Sequence, residues 1–190
     1  VVMKPAIETQ PIVDFLGTRF VIAAAVMIAA SRGATVFAVD VNDSALALAS
    51  AAGATHVLNA GSVDVVAAIR ELTHGGVDVS VDALGSIATA DSAVRALRLQ
   101  GRHVQIGLLL PEAIGDRATV PMHLVIGREL QVLGSHGMSA RSYPAMLADI
   151  ASGLLDPGSF ITRVIDLDAA PAALAEMSAR TEPGVTIIRP

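Results

Sequence analysis

The chain has 190 residues, of which 53% are hydrophobic and 16% are charged, and its mean hydropathy is +0.60. This composition excludes intrinsic disorder, and a net charge of −5 without a basic cluster argues against a nucleic-acid partner. The absence of cysteine excludes disulfides, thiolate zinc sites and cysteine nucleophiles. The longest uncharged apolar run, Phe20 to Ser31, is too short for a bilayer, which needs about 20 residues. We therefore expect a cytoplasmic protein without a membrane anchor.

Strand-like and helix-like segments alternate along the chain. The predicted strands cover residues 12–16, 35–39, 55–58, 77–82, 101–107, 130–133, 161–165 and 185–188. The predicted helices cover residues 20–32, 43–52, 62–73, 88–97, 121–127, 142–152 and 168–177. Repeated β-α units with short connections predict an α/β fold with a doubly wound parallel sheet and helices on both faces. The segments after residue 160 predict a short β-α-β tail.

The strand from Gly33 to Asp40 is predicted to be buried and ends in an acidic residue. In dinucleotide-binding folds such an acid holds the ribose hydroxyls, and a G-x-G-x-x-G phosphate turn lies about 20 residues earlier. The chain reads Gly17-Thr18-Arg19-Phe20-Val21-Ile22 there, with one glycine in place of three. Gly17 is thus the candidate phosphate-turn residue. Arg19 and Phe20 place side chains where a pyrophosphate would lie, and Ile22 adds bulk where the helix should touch a strand, so we expect weakened cofactor binding.

Six segments, including the strand that ends at Asp40, occur in a characteristic order along the chain. They are Gly33 to Asp40, Ala52-Gly53-Ala54-Thr55, Gly75-Gly76-Val77-Asp78, Asp82-Ala83-Leu84-Gly85, Gly101 to Gly107, and Leu133-Gly134-Ser135. Together they resemble the cofactor domain of the zinc-dependent medium-chain alcohol dehydrogenases, over roughly Val26 to Pro190.

The resemblance implies a Rossmann-like fold that binds NAD, with roles for particular residues. Asp40 resembles the ribose acid, which favours NAD over NADP. Leu84 and Gly85 match the loop on the adenosine side of the cofactor. The turn that holds the nicotinamide carboxamide matches Ile106, Gly107 and Leu108. Ser135 matches a residue near the nicotinamide, on the edge strand through which the family dimerises.

The resemblance also implies a division of the chain and a missing part. Residues 1–160 correspond to a Rossmann dinucleotide-binding domain with a degenerate glycine turn, and residues 161–190 to a remnant of the catalytic domain. In the family a β-rich domain with the catalytic zinc precedes the first strand, and this chain offers no such domain and no zinc ligands. We assign no catalytic and no metal-binding residue. The expected function is the NAD(H)-binding domain of an alcohol dehydrogenase-like oxidoreductase, truncated and inactive as this chain alone.

Two other functions remain open at this stage. One is a non-catalytic Rossmann module that forms a homodimer through the Leu130–Gly134 edge strand. The other is an S-adenosylmethionine-dependent methyltransferase, which also has an acid after its second strand. Among single residues, His136 is either a surface loop residue or lies beside the nicotinamide, and Asp82 either caps a turn or contacts a ligand.

Overall fold

The computed structural model describes residues 24–115, 120–137, 139–176 and 183–190. The α-helices are α1 (residues 24–31), α2 (Asp43–Ala51), α3 (Val65–Leu72), α4 (Ile87–Arg95), α5 (Pro111–Ile114), α6 (Met122–Gly127), α7 (Tyr143–Ala151) and α8 (Ala170–Glu176). The strands are β1 (Phe37–Asp40), β2 (His56–Asn59), β3 (Val77–Asp82), β4 (Leu97–Gln105), β5 (Gln131–Gly134), β6 (Ile161–Asp166) and β7 (Val185–Arg189). None of these described helices has the length and apolar character needed to cross a bilayer. The predicted strand at residues 12–16 and Gly17 lie outside the described residues.

The described strands form three parallel sheets. β1 pairs with β2, and β3, β4 and β5 form a second sheet in that order. β6 and β7 pair with each other in a third sheet, with α8 between them in the chain. The alternation of strands and helices and the parallel pairing confirm the predicted α/β class.

The main difference from the predicted elements is in β4. This strand begins at Leu97 rather than at residue 101, because Leu97 already pairs with Val77. An irregularity then follows, in which Gln100 has a φ of +58° before regular pairing resumes. The strand ends at Gln105, so that residues 106 and 107 form a turn.

The helix α5 was not predicted and begins at a proline, as first helical turns often do.

Helix α3 joins the sheet β1–β2 to the sheet β3–β4–β5. Its residues Val65 and Ile69 form one buried cluster with Val39 of β1 and with Ala96, which precedes β4. The same helix therefore packs against both sheets, and burial of these aliphatic groups holds the two sheets in one core.

The carboxyl end of α4 is held by arginines from two neighbouring helices. Arg128 donates to the carbonyl oxygens of Arg95 and Leu97 at 3.0 and 2.9 Å, and Arg70 approaches the same two oxygens. Burial lowers the pKa of Arg128, and the charges of Arg70 and Arg95 lower it further. The guanidinium groups satisfy the Arg95 carbonyl, which the end of α4 leaves without an intrahelical partner, and the Leu97 carbonyl at the start of β4.

Candidate functional site

The parallel strands bring their carboxyl ends to common sheet edges, where ligands bind in open α/β folds. Asp40 ends β1, Asp82 ends β3 and Gln105 ends β4. The loops that follow these strands contain most of the residues that the sequence singles out as candidates for cofactor contact. They are Leu84, Gly85, Ile106, Gly107, Leu108 and, after β5, Ser135.

Asp40 is a buried carboxylate with 8% of its surface exposed. Its Oδ1 accepts the backbone N–H of Asn42 at 2.9 Å. Asn42 in turn caps α2, where its side-chain oxygen accepts the N–H of Ser44 at 2.8 Å. The acid is therefore held at the junction between β1 and α2, in the position that the sequence pattern predicts for a ribose-binding carboxylate.

The loops after β3 and β4 touch through their backbones. A Cβ built on Gly85 would lie 2.3 Å from the carbonyl oxygen of Leu108, and one built on Gly107 would lie 2.2 Å from the N atom of Gly85. Gly85 also has a φ of +82°, which disfavours other residues. The structure thus brings Gly85, Gly107 and Leu108 together at one place. Leu84 is 2% exposed, so its side chain belongs to the core.

Ser135 is linked to the same region through β4. Its N–H donates to the carbonyl oxygen of Gln105 at 2.9 Å. The loops after β3, β4 and β5 therefore converge, whereas Asp40 belongs to the neighbouring sheet β1–β2.

Asp82 is the centre of a hydrogen-bond network beneath these loops. It is 1% exposed, and its Oδ1 accepts the N–H groups of Leu84 and Gly85 at 2.9 and 3.1 Å. Its Oδ2 accepts the Thr89 hydroxyl at 3.0 Å and the Gln105 amide at 2.9 Å. Of the two interpretations that the sequence leaves open, this geometry supports turn capping.

The network continues along β3 and β4 through residues that the sequence analysis did not identify. Gln105 Oε1 lies 3.1 Å from His103 Nε2, and His103 Nδ1 lies 3.0 Å from the Ser80 hydroxyl. His103 is fully buried. Ser80 pairs with His103 in register, and Asp82 pairs with Gln105. Polar residues at every second position, Ser80 and Asp82 on β3 and His103 and Gln105 on β4, are a sequence signal for a polar face on each strand, but this signal does not say which residues pair.

A cavity of about 820 Å³ lies between β1 and β3. Phe37 and Val39 line it from β1, while Val79 and Ser80 line it from β3. The wall is therefore apolar on one side and carries a hydroxyl of the buried network on the other.

The described residues contain no group of three or more His, Cys, Asp or Glu side chains that could hold a metal ion. His136 is exposed in the loop after β5. It matches the interpretation of a surface loop residue.

Comparison with known proteins places this fold in a family. Residues 23–152 match the zinc-binding dehydrogenase family. An NAD-dependent alcohol dehydrogenase of Sulfurisphaera tokodaii is 32% identical over 146 residues, which are 76% of this chain and 40% of that protein. The benzyl alcohol dehydrogenase structure from Acinetobacter calcoaceticus is 27% identical, with a TM-score of 0.77, covering 87% of this chain and 46% of that one.

A zinc-binding dehydrogenase from Sinorhizobium meliloti, solved bound to NADP, is 28% identical with a TM-score of 0.79. The match covers 88% of this chain and 49% of that chain. The chain thus spans between two fifths and one half of the length of these relatives. It belongs to the zinc-binding dehydrogenase family, the medium-chain alcohol dehydrogenases, and corresponds to their Rossmann-like part.

Proposed function

We propose that this chain binds a nicotinamide dinucleotide and serves as the cofactor-holding part of an alcohol dehydrogenase-like oxidoreductase. The observation that carries the proposal is Asp40, a buried carboxylate held at the carboxyl end of β1. A carboxylate in this position accepts hydrogen bonds from ribose hydroxyls. The reaction of the whole enzyme would be hydride transfer between an alcohol or aldehyde and the nicotinamide.

Roles are also proposed for the remaining candidate residues. The loop at Leu84 and Gly85 would lie against the adenosine side of the cofactor. The turn at Ile106, Gly107 and Leu108 would hold the nicotinamide carboxamide. The approach of Gly85 to Leu108, where a Cβ would clash, leaves both loops free of side-chain bulk at their contact. Ser135 would lie at the nicotinamide edge and Gly17 in the phosphate turn.

The proposed cofactor is NAD rather than NADP. A carboxylate at Asp40 accepts from the 2′-hydroxyl of NAD and repels the 2′-phosphate of NADP. Titration calorimetry of the chain with NAD is expected to show binding, with affinity for NADP at least about tenfold lower. Asp40→Ala is expected to lower NAD affinity by about tenfold or more, since it removes a charged hydrogen-bond acceptor.

Asp78→Ala is the matched control for this experiment. Asp78 is an exposed aspartate paired with Arg98 on the surface, so its removal is expected to leave NAD affinity within about twofold of wild type. Absence of NAD binding to the wild-type chain would disprove the proposed function. Equal loss of affinity in both variants would show that Asp40 does not bind the ribose.

The isolated chain is expected not to oxidise alcohols. The sequence has no cysteine, and the described residues hold no cluster suited to zinc, so Lewis-acid activation of an alcohol would depend on residues outside the matched region. The assay is NADH formation from ethanol and benzyl alcohol, with and without added zinc. Turnover under either condition would contradict this assignment of roles.

A homodimer through β5 is the second part of the proposal. All four residues of β5 are exposed, including Val132 and Leu133 at 41% and 46%. Among the described strands, β5 pairs only with β4, which leaves its other edge available for pairing with a second copy. Sedimentation is expected to show a dimer, and Leu133→Lys to shift it toward the monomer. A wild-type monomer at micromolar concentration would exclude this interface.

The proposed domain division and cellular location follow from the same family assignment. Residues 1–160 would form the dinucleotide-binding domain, and residues 161–190 would be a remnant of the catalytic domain. The separate sheet of β6 and β7 supports that division. A cytoplasmic location is proposed for the whole protein. The family match does not favour the methyltransferase alternative.

A further inference from the structure

The side chain of Gln105 connects the three loops of the candidate site. Its amide Nε2 donates to Asp82 Oδ2 at 2.9 Å and to the carbonyl oxygen of Gly107 at 2.8 Å. Its backbone carbonyl accepts the N–H of Ser135 at 2.9 Å. Through Asp82 it also reaches Leu84 and Gly85, whose N–H groups the same carboxylate accepts. One residue thus contacts, directly or through one carboxylate, the loops after β3, β4 and β5.

The orientation of the Gln105 amide is determined by its neighbours. Asp82 Oδ2 and the Gly107 carbonyl oxygen can only accept, so the amide nitrogen must face them. Oε1 then faces His103 Nε2, which must carry a proton to donate at 3.1 Å. In neutral His103, the other ring nitrogen, Nδ1, consequently accepts the Ser80 hydroxyl at 3.0 Å. The hydrogen bonds therefore all run in one direction: Ser80 donates to His103, His103 to Gln105, and Gln105 to Asp82.

The buried partners make this arrangement costly to disturb. His103 is fully buried and Asp82 is 1% exposed. If Gln105 is replaced by an apolar side chain, the network loses two donors and one acceptor, and the buried groups that they served lose a partner. Asp82 retains Thr89 and the two N–H groups after β3, so the adenosine-side loop keeps its support. The Gly107 carbonyl loses its side-chain donor.

We propose that Gln105 is a positioning residue that aligns the nicotinamide-side turn at 106–108 with the adenosine-side loop at 84–85. The proposal rests on the proposed function, because it assigns these loops to the two ends of the dinucleotide. Gln105 does not touch the cofactor in this scheme. It fixes the distance between two backbone segments that do.

Gln105→Met tests this role, because methionine keeps the length of the side chain and removes its hydrogen bonds. Affinity is measured by calorimetry for NAD and for ADP-ribose, which lacks the nicotinamide. We expect Gln105→Met to weaken NAD by about tenfold and ADP-ribose by less than about twofold. Gln100→Met is the matched control, since Gln100 is an exposed glutamine on the same strand whose amide donates to Glu129 at 3.0 Å. It is expected to leave both affinities unchanged.

An equal loss of affinity for both ligands would show a merely structural role and would overturn the proposal, as would no loss for either. Failure of the wild-type chain to bind NAD and ADP-ribose would instead refute the proposed function. A second measurement addresses the alignment without a ligand. Native-state hydrogen exchange is expected to show a lower opening free energy for the Gly107 amide in Gln105→Met than in the wild type, because the turn loses the bond from the Gln105 side chain to the Gly107 carbonyl. The Gly85 amide keeps its acceptor on Asp82 and is expected to be unchanged. An unchanged value for Gly107 would overturn the proposed alignment.

Discussion

Two glycines determine how closely the loops after β3 and β4 approach each other. A Cβ on Gly107 would lie 2.2 Å from the N atom of Gly85 and 2.3 Å from the carbonyl carbon of Leu84. Backbone atoms cannot move away as the end of a flexible side chain can, so the contact requires glycine. At the scale of single residues, the site therefore depends on glycine at positions 85 and 107 as well as on the carboxylates of Asp40 and Asp82.

Gly107→Ala is therefore expected to lower the free energy of unfolding by about 3 kcal/mol, because the added methyl group meets backbone on more than one side. Gly127→Ala is the matched control. Gly127 is exposed in α6, and a Cβ there would meet nothing within 4 Å. Its replacement is expected to stay within about 0.5 kcal/mol of wild type. Urea denaturation followed by circular dichroism measures both, and equal stabilities would contradict the close contact.

At the scale of elements, the helices after β1, β2 and β3 begin with side-chain caps. Asn42, Asp64 and Ser86 each accept N–H groups of the first turn of α2, α3 and α4. The cap of α4 is reciprocal, since the Thr89 hydroxyl accepts the Ser86 N–H at 3.1 Å while the Ser86 hydroxyl accepts the Thr89 N–H at 3.1 Å. These caps end each β-α loop at a defined residue.

Ser86→Ala is expected to reduce the free energy of unfolding by about 1 kcal/mol, because the α4 cap loses its acceptor. The chain offers a second serine at a helix start for comparison. Ser142 precedes α7 but makes no capping hydrogen bond with its side chain. Thermal unfolding should therefore detect a loss for Ser86→Ala and almost none for Ser142→Ala. Similar losses in the two variants would rule out the capping explanation.

At the scale of the whole molecule, apolar surface is exposed away from the candidate site. Val164 on β6 and Ile187 on β7 pair in register and are 51% and 39% exposed. Together they form an apolar contact face on the third sheet. Exposed patches of this kind bind other hydrophobic surfaces.

The double substitution Val164→Thr and Ile187→Thr is expected to reduce the binding of a hydrophobic dye and to raise solubility, because threonine keeps the strand shape and adds a hydroxyl. Leu99→Thr on β4 provides the comparison, as Leu99 is 59% exposed on a different sheet. Dye fluorescence measured at equal protein concentration is expected to fall clearly only for the double variant. An unchanged signal in that variant would show that the dye binds elsewhere.

The sequence predicts the parallel α/β fold and the strand that ends at Asp40, because apolar runs and the glycines that end helices and strands are local signals. It does not predict the start of β4 at Leu97, which depends on pairing with Val77 and on the irregularity around Gln100. The Ser80–His103 and Asp82–Gln105 contacts were missed for the same reason. Cross-strand neighbours depend on register, and residues more than 20 positions apart in sequence meet only once the register is set.

The arrangement of β1 and β3 has a consequence for refolding. Among the described strands, β1 pairs with β2 and β3 pairs with β4 in two separate sheets, and each sheet has edge strands while the chain folds. An extended segment of almost any sequence can pair with such an edge, because the hydrogen bonds that form are between main-chain groups. During refolding, segments of neighbouring copies therefore compete with the chain's own segments for these edges. The yield of correctly folded protein should fall as the protein concentration in the refolding mixture rises.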